Sequence, residues 1–249
     1  MTKYPSPEVE KACLRTRKIG LGLMGFADTL IRLNIKYDSE AGLSFADKVM
    51  AFIHGRAYGA SQEMASKRGV FLAFKGSDHE KAGRKMRNAT CLALSPTGTR
   101  SILASCSAGC EPLFAISYQR TVLGTNEIVY LNPDFERVAK EEEFYTHELI
   151  WKVSKSGTIQ HLKDIPKNVR DVFVTAQDIN PDWHIKMQAV LQKYVDNSIS
   201  KTINFPSNAS IRDVEEAYML AWKSKCKGIT IYRDGSYEDQ VITIGEGLL

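Results

Sequence analysis

Several things are missing from this chain, and each absence excludes something. No run of about 18 apolar residues occurs, so the sequence shows no membrane span. The N-terminus, MTKYPSPEVEK, is polar and contains proline, which argues against a secretory signal. A cytoplasmic protein is expected. Cysteine is scarce: Cys13, Cys91, Cys106, Cys110 and Cys226 make five. An odd count at irregular spacing argues against a disulfide framework. Cys106 and Cys110 are four apart and on a helix would share a face, as a redox pair or half a metal site would. No second Cys or His cluster completes a zinc set, so small buried cysteines are expected. Charge of one sign is not in large excess: 33 Lys and Arg stand against 29 Asp and Glu, a net +4. The densest basic run, KAGRKMR at Lys81–Arg87, reads as a solvated loop rather than a phosphate-attracting patch. No nucleic-acid or membrane partner is expected. Internal repeats, low-complexity tracts and linkers are also absent, so one domain is the simplest reading.

What is present is the material of an ordinary core, with 43% hydrophobic and 25% charged residues among 249. Residues 1–16 read as a loosely held lead-in. KIGLGLMGFADTLIRLN, Lys18 to Asn34, reads as a helix. A longer amphipathic helix follows from Tyr37 and stops at Gly69. The rhythm changes at NATCLALSP, a short strand ended by Pro96. EPLFAISYQRTVL, from Glu111, reads as another strand. Helical stretches are expected near Phe135–Glu143 and Glu148–Lys155, and DVFVTAQDI is a helix end or a short strand. PDWHIKMQAVLQKYVD opens on Pro181 as a helix, and SKTINFP is a short strand. Ser210 and Asp213 form a capping-box-like helix start, with Gly228 as the expected stop. GITIYRDGS ends on a strand and an Asp-Gly turn. Strands alternating with helices make the class α/β.

Two glycine-bearing stretches compete as sites. GLGLMG, Gly20 to Gly25, matches G-x-G-x-x-G and suggests a nicotinamide-dependent oxidoreductase. That fingerprint needs a strand entering the turn, and CLRTRK is a poor strand. The glycines are therefore expected inside a helix, allowing close packing. SPTGTRS, Ser95 to Ser101, has a better context: strand, tight turn, then a helix. Free backbone N–H groups at a helix start and the helix dipole favour an anion. Thr97 and Thr99 can add hydroxyl donors, Gly98 lets the backbone approach, and Arg100 adds charge. The alternative is a mere N-cap turn. The Walker spacing G-x-x-x-x-G-K-[ST] is absent. Among other candidates, His184 reads as a satisfied, partly buried histidine. Glu111 is either a buried carboxylate with a role or a strand-entry residue. Tyr232 reads as core rather than as a redox tyrosine.

Three long stretches carry a family resemblance: RKIGLGLMGFADTLIRLNIKYDSE, RNATCLALSPTGTRSILASCSAGCEPLFAISYQR and VDNSISKTINFPSNASIRDVEEAYMLAWKSKCKGITIYRDGS. They resemble ribonucleotide reductase large subunits, and the last resembles the adenosylcobalamin-dependent class II enzymes. The similarity runs from about Arg17 to Ser236. It implies the second half of a ten-stranded α/β barrel, with N-terminal helices, over residues 17–249. It implies adenosylcobalamin as cofactor and thiyl-radical reduction of ribonucleotides to deoxyribonucleotides, with closer similarity to the diphosphate-type enzymes. It also implies that Pro96, Thr97, Gly98, Thr99 and Arg100 hold the substrate's phosphates. Arg100 and Cys110 depart from the family pattern, which has a small or aliphatic residue at the first position and an aliphatic one at the second.

The family's Asn-x-Cys-x-Glu finger loop precedes its Arg-Lys-Ile-Gly-Leu-Gly segment, and here only residues 1–16 precede Arg17. None of the five cysteines matches a catalytic one. The resemblance therefore implies a C-terminal half, inactive alone, that needs the N-terminal half of the reductase or a second copy. Half a barrel leaves strand edges unpaired. A non-catalytic phosphate-binding or regulatory subunit that kept the fold is the alternative.

Overall fold

The computed structural model describes residues 3–122 and 126–236; residues 237–249, which the expected domain 17–249 includes, lie outside the described residues. The lead-in is more ordered than expected. Ser6 caps a helix, α1 (Pro7–Thr16), by accepting from the Val9 N–H, and proline occupies its first turn, where no N–H is needed. None of its residues is buried.

The segment from Lys18 corrects a sequence expectation. Only α2 (Phe26–Arg32) is helical there. Leu21 instead forms a parallel bridge with Leu92, supported by Ile19 N–H to Thr90 O and Leu21 N–H to Cys91 O. A run that is apolar without clear period cannot distinguish a buried strand from a buried helix. The glycines do permit close packing, but of extended backbone. A Cβ at Gly22 would lie 2.6 Å from the carbonyl oxygen of Ala93.

Ser39 caps the long helix α3 (Glu40–Arg68), which ends at Gly69 as the sequence indicates. Its buried stripe is made of small residues and one methionine: Gly42, Ala46, Met50, Ser61 and Ala65. A short α4 (Asp78–Lys81) and the exposed Lys81, Arg84 and Lys85 follow, with the Arg87 guanidinium donating to the carbonyls of Arg68 and Gly69 at the end of α3. After the extended segment 91–94 come α5 (Gly98–Leu103) and an antiparallel hairpin, β1 (Ser117–Val122) with β2 (Asn126–Leu131). The strand expected from Glu111 thus starts later, and β2 lies where no strand is expected from the sequence.

Helices α6 (Pro133–Glu141), α7 (His147–Ser156) and α8 (Lys167–Val172) pack beside the hairpin around Phe135, Ile116, Val153, Ile159 and Phe173. DVFVTAQDI proves to be the helix end: it closes α8, and beyond it Thr175 makes only a single parallel bridge with Leu113. Helix α9 (Pro181–Gln192) starts at its proline, capped by Asn180. Strand β3 (Thr202–Phe205) leads to α10 (Ile211–Lys223), whose Ser210–Asp213 capping box is complete. The stop is not Gly228: α10 ends with Ser224 as its cap, and Lys225 follows in the left-handed region at φ 61°. Strand β4 (Thr230–Arg233) closes the described fold.

The extended pieces form one parallel array. β3 pairs with β4, Ile199 bridges Leu94, and Leu92 bridges Leu21. The order is 19–22, 91–94, 199–205, 230–233. Ile203 and Phe205 face α9 and α10, packing on Ile185, Ala217 and Ala221. All four pieces run the same way, so the loops after them gather at one end of the sheet. Open α/β sheets bind ligands at that carboxyl end. Among the described residues no helix is long and apolar enough to cross a membrane.

Candidate functional site

The loop Ser95–Thr97 leaves the carboxyl end of segment 91–94. That segment is held firmly. Asp196 Oδ2 accepts from the backbone N–H groups of Cys91, at 2.7 Å, and Leu92, at 3.0 Å. Tyr58 donates its hydroxyl to Asp196 Oδ1. Asn197 Nδ2 donates to Leu92 O at 3.0 Å.

Thr97 sits at the N-cap of α5 with φ 53°, a costly conformation for a β-branched residue and one that clusters at functional sites. Its side chain makes no capping bond to the helix. Instead Thr97 Oγ1 accepts from Gly109 N–H at 2.8 Å. The amides of Gly98, Thr99 and Arg100 are the first three of α5, which have no intrahelical acceptor. They stand at an exposed turn, and a Cβ at Gly98 would meet nothing within 4 Å. Pro96, Thr99 and Arg100 are exposed as well. Of the five sequence-predicted residues, four therefore present themselves to solvent at one turn. Thr97 is turned toward the following loop, as an acceptor.

That following loop, 104–111, lies between the turn and the start of α2. Gly25 N–H donates to Ser107 O at 2.8 Å, and Ser107 N–H donates to Asp28 Oδ2 at 2.5 Å. Gly109, at φ 48°, passes so close that a Cβ there would lie 2.9 Å from Ser95 O. Cys106 and Cys110 do not share a helix face, because α5 has already ended at Leu103. Cys110 is buried, and burial pushes its thiol up to about 12, so it stays protonated. Among the described residues no group of three His, Cys, Asp or Glu could hold a metal.

Glu111 is a partly buried carboxylate with defined partners. Its Oε2 accepts from Lys201 Nζ at 2.7 Å and its Oε1 from Thr202 N–H at 2.7 Å. The Lys201 side chain is 0% exposed. Its ammonium also meets His184 Nδ1 at 2.9 Å and Thr202 O at 3.1 Å. His184 Nε2 lies 3.0 Å from Ala176 O, which requires the proton on Nε2 and leaves Nδ1 to accept from Lys201. Tyr37 donates to Cys110 O at 2.7 Å, and burial raises its phenol well above the ordinary value. Sequence reading missed Lys201, Tyr37, Asp28 and Asp196. For Lys201 a signal existed: it shares the period-2 register of Ile203 and Phe205, so it points where a lysine needs a partner.

The histidine gives a pH prediction. Burial first, then the neighbouring Lys201 charge, lower His184 to about 3, against about 6.5 for a free histidine. The folded chain cannot take the proton that the unfolded chain binds. Stability is therefore full above pH 6.5 and falls as pH drops from there toward 3, by up to about 1.4 kcal/mol per pH unit from this group. Urea unfolding between pH 7 and pH 4 should show this slope, and His184→Asn should flatten it. An equal slope in the variant would remove His184 as its source.

The family model described as "Ribonucleotide reductase, barrel domain" matches residues 1–232. A vitamin B12-dependent ribonucleoside-diphosphate reductase of Thermoplasma acidophilum is 47% identical over 98% of this chain and 32% of its own length. The enzyme of the same description from Mycobacterium tuberculosis (strain CDC 1551 / Oshkosh) is 43% identical over 98% of this chain and 35% of its own. The chain thus spans about a third of the length of these curated relatives. Among solved structures, the class Id ribonucleotide reductase alpha subunit of Actinobacillus ureae superposes with a TM-score of 0.81 at 26% identity, covering 93% of this chain and 42% of that one. The α/β array that carries the SPTGT turn at its carboxyl end is that of the ribonucleotide reductase barrel domain, and the chain belongs to this family.

Proposed function

We propose that this chain is the part of a ribonucleoside-diphosphate reductase that holds the substrate's phosphates, through Pro96, Thr97, Gly98, Thr99 and Arg100. The observation that supports this reading most is the open turn itself. Gly98, Thr99 and Arg100, whose first-turn amides have no intrahelical acceptor, are exposed residues at the carboxyl end of a parallel array. A diphosphate is an acceptor of the kind such amides lack.

Adenosylcobalamin enters this reading from the relatives, and when bound it supplies the radical. Its cobalt arrives ligated by the corrin, so a protein wall for it needs apolar surface rather than a ligand set. Met24 and Leu103 are exposed on two segments that meet where Gly25 approaches Cys106, and they fit that need. The radical cysteine comes from another half of the enzyme in this reading, since none of the five cysteines matches it. Cys91 and Cys110 are buried, and their thiols are pushed up by that burial. The segment 19–22 is the place for that half to join. Among the described residues its far edge carries no strand, and Ile19 and Leu21 are about half exposed there (48% and 49%).

The test is ribonucleotide reduction with adenosylcobalamin and a dithiol, by this chain alone and mixed with a polypeptide carrying the finger-loop cysteine. Turnover is expected only in the mixture. Thr97→Ala with Thr99→Ala should raise KM for the diphosphate by about tenfold or more, the cost of a lost Thr99 bond to a charged group and of the Thr97–Gly109 bond that shapes the turn. A mixture that forms a complex but gives no turnover would support a non-catalytic phosphate-binding subunit instead.

A further inference from the structure

We propose that the buried Lys201–Glu111 pair is a positioning device for the Ser95–Arg100 turn, acting through the tripeptide Gly109–Glu111 and touching no substrate. The inference rests on the phosphate-binding reading of that turn.

Three consecutive residues after the turn are each fixed by a different part of the chain: the N-cap of α5, the α2–α3 connection, and the start of β3. Gly109 N–H meets Thr97 Oγ1 at 2.8 Å. The Cys110 carbonyl accepts from Tyr37. Glu111 accepts from Lys201 and from the first amide of β3. The last of these is the most demanding. Segment 91–94 has left the sheet at Ser95, so β3 loses its strand neighbour beyond the Leu94–Ile199 bridge. The Glu111 carboxylate takes that place, satisfying Thr202 N–H with one oxygen. Its other oxygen meets an ammonium that spends its three donors on Glu111, His184 and Thr202 O. The site is complete, and every partner is on a rigid element or at its end.

An apolar pair of similar volume would remove the cost of burying two charges, but it would leave the Thr202 N–H and His184 Nδ1 without partners. What such a pair lacks is direction. The charged pair fixes residue 111 against β3 and α9, and Gly109 is only two residues away. Its N–H is what holds Thr97 Oγ1, and Thr97 is held at φ 53° at the mouth of the turn. Loosening Glu111 frees Gly109, and a freed Gly109 lets Thr97 relax away from the left-handed region.

Inorganic pyrophosphate titrated into the chain, read by amide shifts, gives the affinity; hydrogen exchange at Gly109 gives the positioning. Lys201→Met is expected to weaken pyrophosphate about tenfold and speed Gly109 exchange about tenfold, the effect of ~1.4 kcal/mol of lost ordering. The amide of Gly157, bonded to Val153 O in the other core, should keep its rate. Adding Glu111→Gln to Lys201→Met leaves no charge unpaired, so stability should return while both readouts stay roughly tenfold off, because the pair that directs residue 111 is gone; recovery of both readouts would overturn the proposal. A folded Lys201→Met chain with wild-type affinity and wild-type Gly109 exchange would overturn the proposal. If that variant does not fold, Glu111→Gln alone decides: faster Gly109 exchange supports the proposal and an unchanged rate overturns it. Failure of the wild-type chain to bind pyrophosphate would sink the phosphate reading, while the Gly109 exchange would still judge the positioning.

Discussion

Asp196→Ala is expected to lower the free energy of unfolding by about 3–4 kcal/mol. One carboxylate oxygen accepts from two successive backbone amides, those of Cys91 and Leu92, and both residues are 0% exposed. The other oxygen takes the Tyr58 hydroxyl from α3. Alanine leaves two buried N–H groups without an acceptor, and it cuts the link between the segment before the SPTGT turn and the longest helix. A buried donor left unpaired costs more than a satisfied bond contributes. Tyr58→Phe removes one partner and leaves both amides satisfied, so about 1 kcal/mol is expected there. The double variant should cost less than the two losses added, because both act on one carboxylate. Urea unfolding at pH 7 measures all three. If Asp196→Ala costs no more than Tyr58→Phe, the amides have found another acceptor and Asp196 does not hold the segment.

The sequence made some of this architecture plain and hid the rest for identifiable reasons. Helix boundaries carried by caps were legible: Ser210 with Asp213, Pro181 after Asn180, and Gly69 after α3. These are local signals, set by orphan amides within a few residues. The strand–turn–helix context of SPTGT was legible for the same reason. The parallel pairing was not. Leu21, Leu92, Leu94 and Ile199 meet through single bridges between segments far apart in the chain. Short strands covered on both faces lack the alternation that marks an open sheet. The polar network around the turn was hidden too. Glu111 and Lys201 are 90 residues apart and Asp196 and Cys91 are 105 apart, so no spacing joins them. A charged residue in a buried register was the single trace of Lys201.

Gly22→Ala is expected to cost about 3 kcal/mol, and Gly55→Ala to stabilise the chain by about 0.5–1 kcal/mol. The two glycines differ in what surrounds them. A Cβ at Gly55, in the middle of α3, meets nothing within 4 Å. There glycine only adds freedom to the unfolded chain. A Cβ at Gly22 would lie 2.6 Å from a backbone oxygen of Ala93, and one at Gly20 would lie 3.0 Å from the Ala93 Cβ. Backbone cannot swing aside as a side chain can, so the 19–22 and 91–94 segments must separate. The Ala93 N–H to Leu21 O bond lies in the strained stretch. Ser95 is two residues beyond Ala93, so the displacement also reaches the SPTGT turn, and on the proposed reading pyrophosphate affinity should fall with stability. The glycine pattern that imitates a dinucleotide fingerprint is thereby given a steric reason at Gly20 and Gly22. The two substitutions separate the readings in one experiment. A dinucleotide loop would lose cofactor binding on Gly22→Ala and keep its stability. A packing contact loses stability, and a tolerated Gly22→Ala would mean that the segments do not meet at Ala93.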